Sequence, residues 1–270
     1  MRFQVRSVVA ITGCAMLIGW LTGCGGGSST SNSSATPSNP TNPNLLPPNN
    51  RLRLYQHGDE FEYVITGVAY LRGERYEVSG IQTIRYQSIG AGVMRVTFQT
   101  TLTLRRGSVT IPETRLAIYD ISQDRQTREV TLIGYLPSED SPTILSTLPY
   151  RVVRPGIWNE NSTFSCTVDF QDNARIQLTM ENGTIESVAT YAGTYGCYRT
   201  RYDYQFDFPA PFTEYIASGP AWFSPQLGEF TRMELTESDR ITVGGETLPI
   251  ETRLTYLLRR TNVSVNNSTP

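Results

Sequence analysis

The stretch Tyr198-Arg199-Thr200-Arg201-Tyr202-Asp203-Tyr204-Gln205-Phe206-Asp207-Phe208 alternates without a break. Tyr198, Thr200, Tyr202, Tyr204, Phe206 and Phe208 fall on one side of an extended chain. Arg199, Arg201, Asp203, Gln205 and Asp207 fall on the other. Successive side chains of a strand point to opposite faces, whereas a helix would scatter both sets around its axis. The stretch is expected as a β-strand with one aromatic face and one charged face. The same period of two recurs at 61–71, 76–86, 93–104, 115–121, 129–135, 163–170, 176–180, 185–191, 229–236, 240–243 and 251–259.

Turn signals separate these runs. Asn182-Gly183 is the strongest of them, since both residues tolerate positive φ. Arg72-Gly73, Arg106-Gly107, Asp172-Asn173 and Gly244-Gly245 mark further turns. Short turns join antiparallel neighbours, and strands this long should twist and curl. The expected fold is all-β: a single domain at 51–260 of long, strongly curved antiparallel strands, as a meander, half-barrel or sandwich. A faint echo links Ile111-Pro112-Glu113-Thr114-Arg115-Leu116 to Pro249-Ile250-Glu251-Thr252-Arg253-Leu254. Chance similarity of strand-forming peptides is preferred there over an ancient duplication.

Composition excludes several chemistries. The 270 residues carry 23 basic and 25 acidic side chains, and every basic one is arginine. Without lysine there is no Schiff-base or general-base amine. One histidine, His57, cannot form a multi-histidine metal site. A formal net charge of -2 offers no basic field for nucleic acid. Sequence signatures of nucleophile elbows, zinc proteases, phosphate loops and calcium loops are absent, so no catalytic residues, metal or cofactor are assigned.

The N-terminus reads as an export signal at 1–23. Arg2 and Arg6 precede an apolar run from Val8 to Leu21, 14 residues long. That is short of the roughly 20 residues needed to span a bilayer. The run ends in Leu21-Thr22-Gly23-Cys24, which resembles the lipobox of bacterial lipoproteins. The resemblance implies cleavage before Cys24 and acylation of that residue, with the acyl chains as membrane anchor. Gly25 in place of an acidic residue fits outer-membrane sorting if the host has two membranes. Residues 24–50 are uncharged and rich in Gly, Ser, Asn and Pro, and are expected as a disordered tether. It would span on the order of 30 Å as a loose coil and roughly 80 Å at polyproline extension. Residues 261–270 are expected as a flexible tail.

Two cysteines remain in the body, Cys166 and Cys197. An even pair outside the cytoplasm is expected as a disulfide, contributing roughly 3–4 kcal/mol.

Two clusters carry a further resemblance. One is Glu186-Ser-Val188-x-x-x-Ala192-Gly193-Thr194-Tyr195-x-Cys197-Tyr198-x-Thr200. The other is Trp222-Phe223-Ser224-Pro225-x-Leu227-Gly228-x-Phe230-x-Arg232-x-Glu234. With the Gly58-Asp59-Glu60-Phe61-x-Tyr63 opening, they resemble a set of uncharacterised exported bacterial lipoproteins. That set is similar in outline to the half-barrels of lipoprotein carriers, although covering helices are not seen in this sequence. The resemblance implies a lipid-anchored protein of the cell envelope.

The expected role is binding or envelope scaffolding, not enzymatic, with partners limited to the membrane through its acyl chains and an envelope protein or apolar ligand. One alternative is a carrier holding an apolar ligand against Tyr198, Tyr202, Tyr204, Phe206 and Trp222. The other is a carboxylate-based hydrolase, for which spacing nominates no pair. Asp59, Glu60, Glu62, Glu237 and Asp239 are expected as solvated strand ends, and His57 as a solvated junction residue. The arginines are expected on the wet faces of strands, paired with acids.

Overall fold

The computed structural model describes residues 50–208, 214–243 and 246–265. Cys24, the export signal, nearly all of the tether and Gly244-Gly245 lie outside them. The described residues fold into thirteen strands and no helix. They are β1 (Glu60–Leu71), β2 (Glu74–Gly90), β3 (Val93–Arg106), β4 (Val109–Gln123), β5 (Val130–Leu136), β6 (Ile144–Leu145), β7 (Val152–Arg154), β8 (Thr163–Asp169), β9 (Arg175–Thr190), β10 (Gly193–Asp207), β11 (Tyr215–Ser224), β12 (Glu229–Val243) and β13 (Glu246–Thr261).

All belong to one antiparallel sheet in the order β6-β5-β4-β3-β2-β1-β13-β12-β11-β10-β9-β8, with β7 beside β5. Two meanders, β1–β6 and β8–β13, are joined where β1 pairs with β13. The sheet is not closed as a ladder. Its edges touch at a single bridge between Ser146 and Phe170. There Thr147 N donates to Asp169 O (2.7 Å) and Gln171 N donates to Leu145 O (3.0 Å).

The curl follows from strand length and interruption. Strands of 12–17 residues accumulate twist, and bulges sharpen it. Register shifts occur at Glu62/Tyr63, Ser88/Gly90, Asp120/Ile121, Tyr198/Thr200 and Trp222/Phe223. The concave face becomes the core, filled from both halves. The Tyr63 hydroxyl on β1 donates to Phe230 O on β12 at 2.7 Å. Tyr135 on β5 meets Phe206 on β10 edge-on, ring centres 5.4 Å apart. Trp158, in the segment after β7, stacks on Phe223 at 3.9 Å. Burying one such ring contributes about 2–3 kcal/mol.

Arg72 and Gly73 both adopt positive φ in the β1–β2 hairpin, the combination a two-residue hairpin favours. Asn182-Gly183, by contrast, is no turn. β9 continues through it with a bulge, Gly183 and Thr184 together opposing Arg199, and the chain reverses at Tyr191-Ala192 instead. Asn182 is held inside the strand by its side chain. Thr200 Oγ1 donates to its carbonyl oxygen (2.9 Å), and its amide donates to Ser162 Oγ (3.1 Å). Thus 176–180 and 185–191 merge into one strand, as do 229–236 and 240–243. Strand β11 lacks the alternating signal because Gly219-Pro220 interrupts it.

Thr261 and Asn262 are held by the fold, although both fall in the segment expected as a flexible tail. Thr261 pairs with Phe61, and the Asn262 side chain accepts from Glu60 N and donates to Gly58 O. The sequence echo is not a structural one. Arg115 faces the core in β4, whereas Arg253 of the same Glu-Thr-Arg-Leu peptide faces solvent in β13.

Candidate functional site

The aromatic row of β10 is core. Tyr198, Tyr202, Tyr204 and Phe206 are all at most 3% exposed. Tyr202 packs on Phe230, Tyr204 on Tyr215, and Phe206 against Tyr135 and Phe170. Trp222 does not share that face. Its cross-strand neighbours are Arg199 and Arg232, so it belongs to the outer side of the sheet. The five residues grouped as one ligand face therefore divide between two faces. Plain alternation along β11 causes this: Tyr215, Ala217, Ala221 and Phe223 face the core, Phe223 opposite Tyr198, so Trp222 between the last two faces outward opposite Arg199.

The motif residues nevertheless converge around Trp222. Its Nε1 donates to Glu186 Oε2 at 2.8 Å. The guanidinium of Arg232 lies 4.8 Å from its ring centre, and that of Arg199 lies 5.8 Å away. Beneath it, Cys197 and Val188 complete a small apolar cluster separate from the main core, with Tyr195 packed against it. Trp222 is held as a lid over this cluster by one hydrogen bond and two cation–π contacts.

Beside this cluster the outer face is indented. A cleft of about 540 Å³ is lined by Glu181 and Gly183 of β9, Arg199, Thr200, Arg201 and Asp203 of β10, and Ser218, Gly219 and Pro220 of β11. Two irregularities adjoin here: a bulge in β9, where Gly183 and Thr184 together oppose Arg199, and a gap in the β11–β12 ladder between Ser218 and Ala221. Bulges and strand glycines recur where a sheet re-aims side chains or admits a close approach. Arg199 and Arg201 are more than half exposed. Arg201 Nε donates to Asp203 Oδ2 at 3.2 Å, and Arg199 lies 3.7 Å from Glu186.

Two ion clusters lie inside the fold, where the composition had suggested only a wet coat of arginine. Arg115 Nε donates to Glu113 Oε1 (2.8 Å) and Nη1 to Glu237 Oε2 (3.1 Å), with Asp239 3.9 Å away. The Tyr256 hydroxyl donates to the other Glu237 oxygen at 2.5 Å. Burial pushes the Asp239 carboxyl up to about 6, against the pull of Arg115. In the second cluster, Arg154 reaches Gly228 O (2.8 Å), Glu229 (3.3 Å) and the Tyr55 hydroxyl. Tyr86 donates to the same Glu229 and stacks on Tyr55 at 4.4 Å. Burial raises the Tyr55 hydroxyl to about 12.

Glu237 and Asp239 are thus buried, not solvated strand ends, and Asp59 is buried in a pair with Arg53. Alternation alone could have placed Glu237 and Asp239, since both share parity with the inward Met233 and Leu235. Arg115 likewise shares parity with the inward Ile111, Ala117 and Tyr119. His57 is exposed, and its Nδ1 accepts from Ser88 N at 3.2 Å.

The expected Cys166–Cys197 disulfide is not formed, and both thiols are free and buried. Cys166 lies level with Tyr204 across β9, seven residues from Cys197 along β10. That is roughly 20 Å of strand, far beyond the ~4.4–6.8 Å between Cα atoms that a disulfide needs. The two also face opposite sides of the sheet, Cys166 in the main core and Cys197 under Trp222.

No protein-family model matches the chain, and no curated protein matches it. Two solved structures are similar in part. One is a Bacteroides fragilis protein described as exported and of YmcC-like fold, 14% identical over 79% of this chain and 99% of that one, with a TM-score of 0.37. The other is described as a lipoprotein from Parabacteroides distasonis, 16% identical over 77% and 96%, with a TM-score of 0.34.

Proposed function

We propose that the protein is a lipid-anchored, extracytoplasmic binding or scaffold protein of the bacterial envelope, held by acyl chains on Cys24 and, in a host with two membranes, sorted to the outer one. The Leu21-Thr22-Gly23-Cys24 sequence behind an apolar run of 14 residues supports the anchor. The observation that carries the binding role is the division of faces. The inner aromatic surface is consumed as core, while the outer face of β9–β11 keeps a recessed set of exposed charges. This weighs against a carrier holding an apolar ligand on Tyr198, Tyr202, Tyr204 and Phe206. The buried carboxylates Glu113, Glu237 and Asp239 surround an arginine, which suits structural ion pairing better than hydrolysis.

The test is Cys24→Ala with cell fractionation, followed by native mass spectrometry of the released protein. Release from the membrane at the bare polypeptide mass is expected. Unchanged membrane retention would sink the anchor, and a tightly held lipid would restore the carrier.

A further inference from the structure

We infer that the outer cleft between β9, β10 and β11 is a saccharide-binding site selective for carboxylate-bearing sugars. The inference deepens the reading that the domain acts through its outer face, and it is independent of the anchor on Cys24.

The first argument concerns why the cleft exists. At Gly219 the fold itself requires glycine. A Cβ there would sit 2.1 Å from the carbonyl oxygen of Glu234, and φ is +149°. At Gly183 it does not. A Cβ there would meet only the Arg199 carbonyl oxygen, at 3.2 Å, and φ is not in the left-handed region. Glycine is also a poor strand residue. Position 183 lies in the β9 bulge, and there the missing side chain leaves the cleft unfilled.

The second argument is chemical. The floor offers Pro220 and the bare backbones of Gly183 and Gly219, an apolar surface on which the C–H face of a pyranose ring can lie. The walls offer donors and acceptors in alternation: Arg199 and Arg201 against Glu181 and Asp203, with Ser218 between. Vicinal hydroxyls both donate and accept, and so match such walls. Arg201 commits one N–H to Asp203, leaving the outer edge of its fork to grip a carboxylate in two parallel hydrogen bonds. A volume of about 540 Å³ falls within the ~300–1,000 Å³ usual for small-molecule sites. Neither an apolar ligand nor a strongly anionic one such as a phosphate fits as well, because Glu181 and Asp203 stand beside the two arginines.

The experiment uses the full acylated protein in detergent, titrated by calorimetry with tetragalacturonate and, separately, with uncharged maltotetraose, each up to about 10 mM, enough to saturate a site of ~1 mM Kd. Tetragalacturonate should bind and maltotetraose should bind more weakly. Arg201→Ala should weaken tetragalacturonate by roughly tenfold, as for loss of a charge-assisted contact. Gly183→Val, which leaves both arginines in place, should abolish binding while thermal unfolding stays near that of the parent. Absence of binding for both sugars overturns the inference. Equal affinity in the parent and in a folded Gly183→Val variant overturns it too. Equal binding of the two sugars overturns the carboxylate preference. None of these outcomes bears on membrane attachment, which fractionation of Cys24→Ala reads separately.

Discussion

Arg115 of β4 and Glu237 of β12 meet at 3.1 Å although β3, β2, β1 and β13 lie between their strands in the sheet. The contact spans the interior of the curl and fixes how far the two meanders wrap around one another. Removing one member of a buried pair strands the other charge, at a cost of about 3–5 kcal/mol. Arg115→Met should therefore lower the urea-derived unfolding free energy by that amount. Arg115→Met combined with Glu237→Leu should recover part of the loss. A double variant worse than the sum of its singles would show that the pair is not what couples β4 to β12.

Asp239 makes a separate prediction about pH. Its carboxyl titrates near 6 in the fold and at 3.8 ordinarily, because burial disfavours the charged form, with Glu113 and Glu237 adding to the effect and Arg115 opposing it. A raised acid pKa means that the folded state holds its proton longer. The contribution is therefore fully present below pH 3.8 and is lost as pH rises through 6. A shift of this size corresponds to about 3 kcal/mol. Asp239→Asn should gain stability relative to the parent between pH 4 and 7, measured by urea unfolding at both ends. A difference that does not change with pH would refute the assignment.

The two thiols should be silent in the native protein. Burial pushes both Cys166 and Cys197 up to about 12, which removes the reactive thiolate. A chromogenic disulfide reagent at pH 8 should label neither. In denaturant without reductant, both should react. If they fail to react until a reductant is added, the bridge exists after all.

The two strand glycines differ by prediction as well. Gly219→Ala forces its methyl group into the Glu234 carbonyl and should cost about 1–3 kcal/mol. Gly183→Ala has only the 3.2 Å approach of Arg199 O to relieve and should stay within about 0.5 kcal/mol of the parent. Thermal unfolding of the two variants side by side would check this.

The period-two reading of Tyr198–Phe208 carried the fold class, because alternation is a direct imprint of a pleated strand. Register did not follow from it. Alternation fixes sides only within one strand, and Trp222 lies on β11; its side relative to the β10 row is set by the pairing of Tyr198 with Phe223, which turns Trp222 outward. Asn182-Gly183 misled for a different reason. Local turn preference lost to tertiary hydrogen bonds that Asn182 donates to Ser162 and accepts from Thr200, which residue spacing cannot reveal. The cleft was hidden in the same way, since it is assembled from three strands whose offsets depend on those irregularities. The motif carrying Glu186, Cys197, Trp222 and Arg232 did point to residues that come together.

The pairing of Phe61 with Thr261 joins positions 200 residues apart. Synthesis delivers the chain from its N-terminus, so β1 emerges with one side already satisfied by β2 and the other bare. Its missing neighbour, β13, is made last among the described strands. Folding cannot be completed piecemeal from the front, and such long-range closure is slow. Until β13 arrives, the first half is an unfinished sheet with an adhesive border, and the cell must keep it from pairing with the wrong strand.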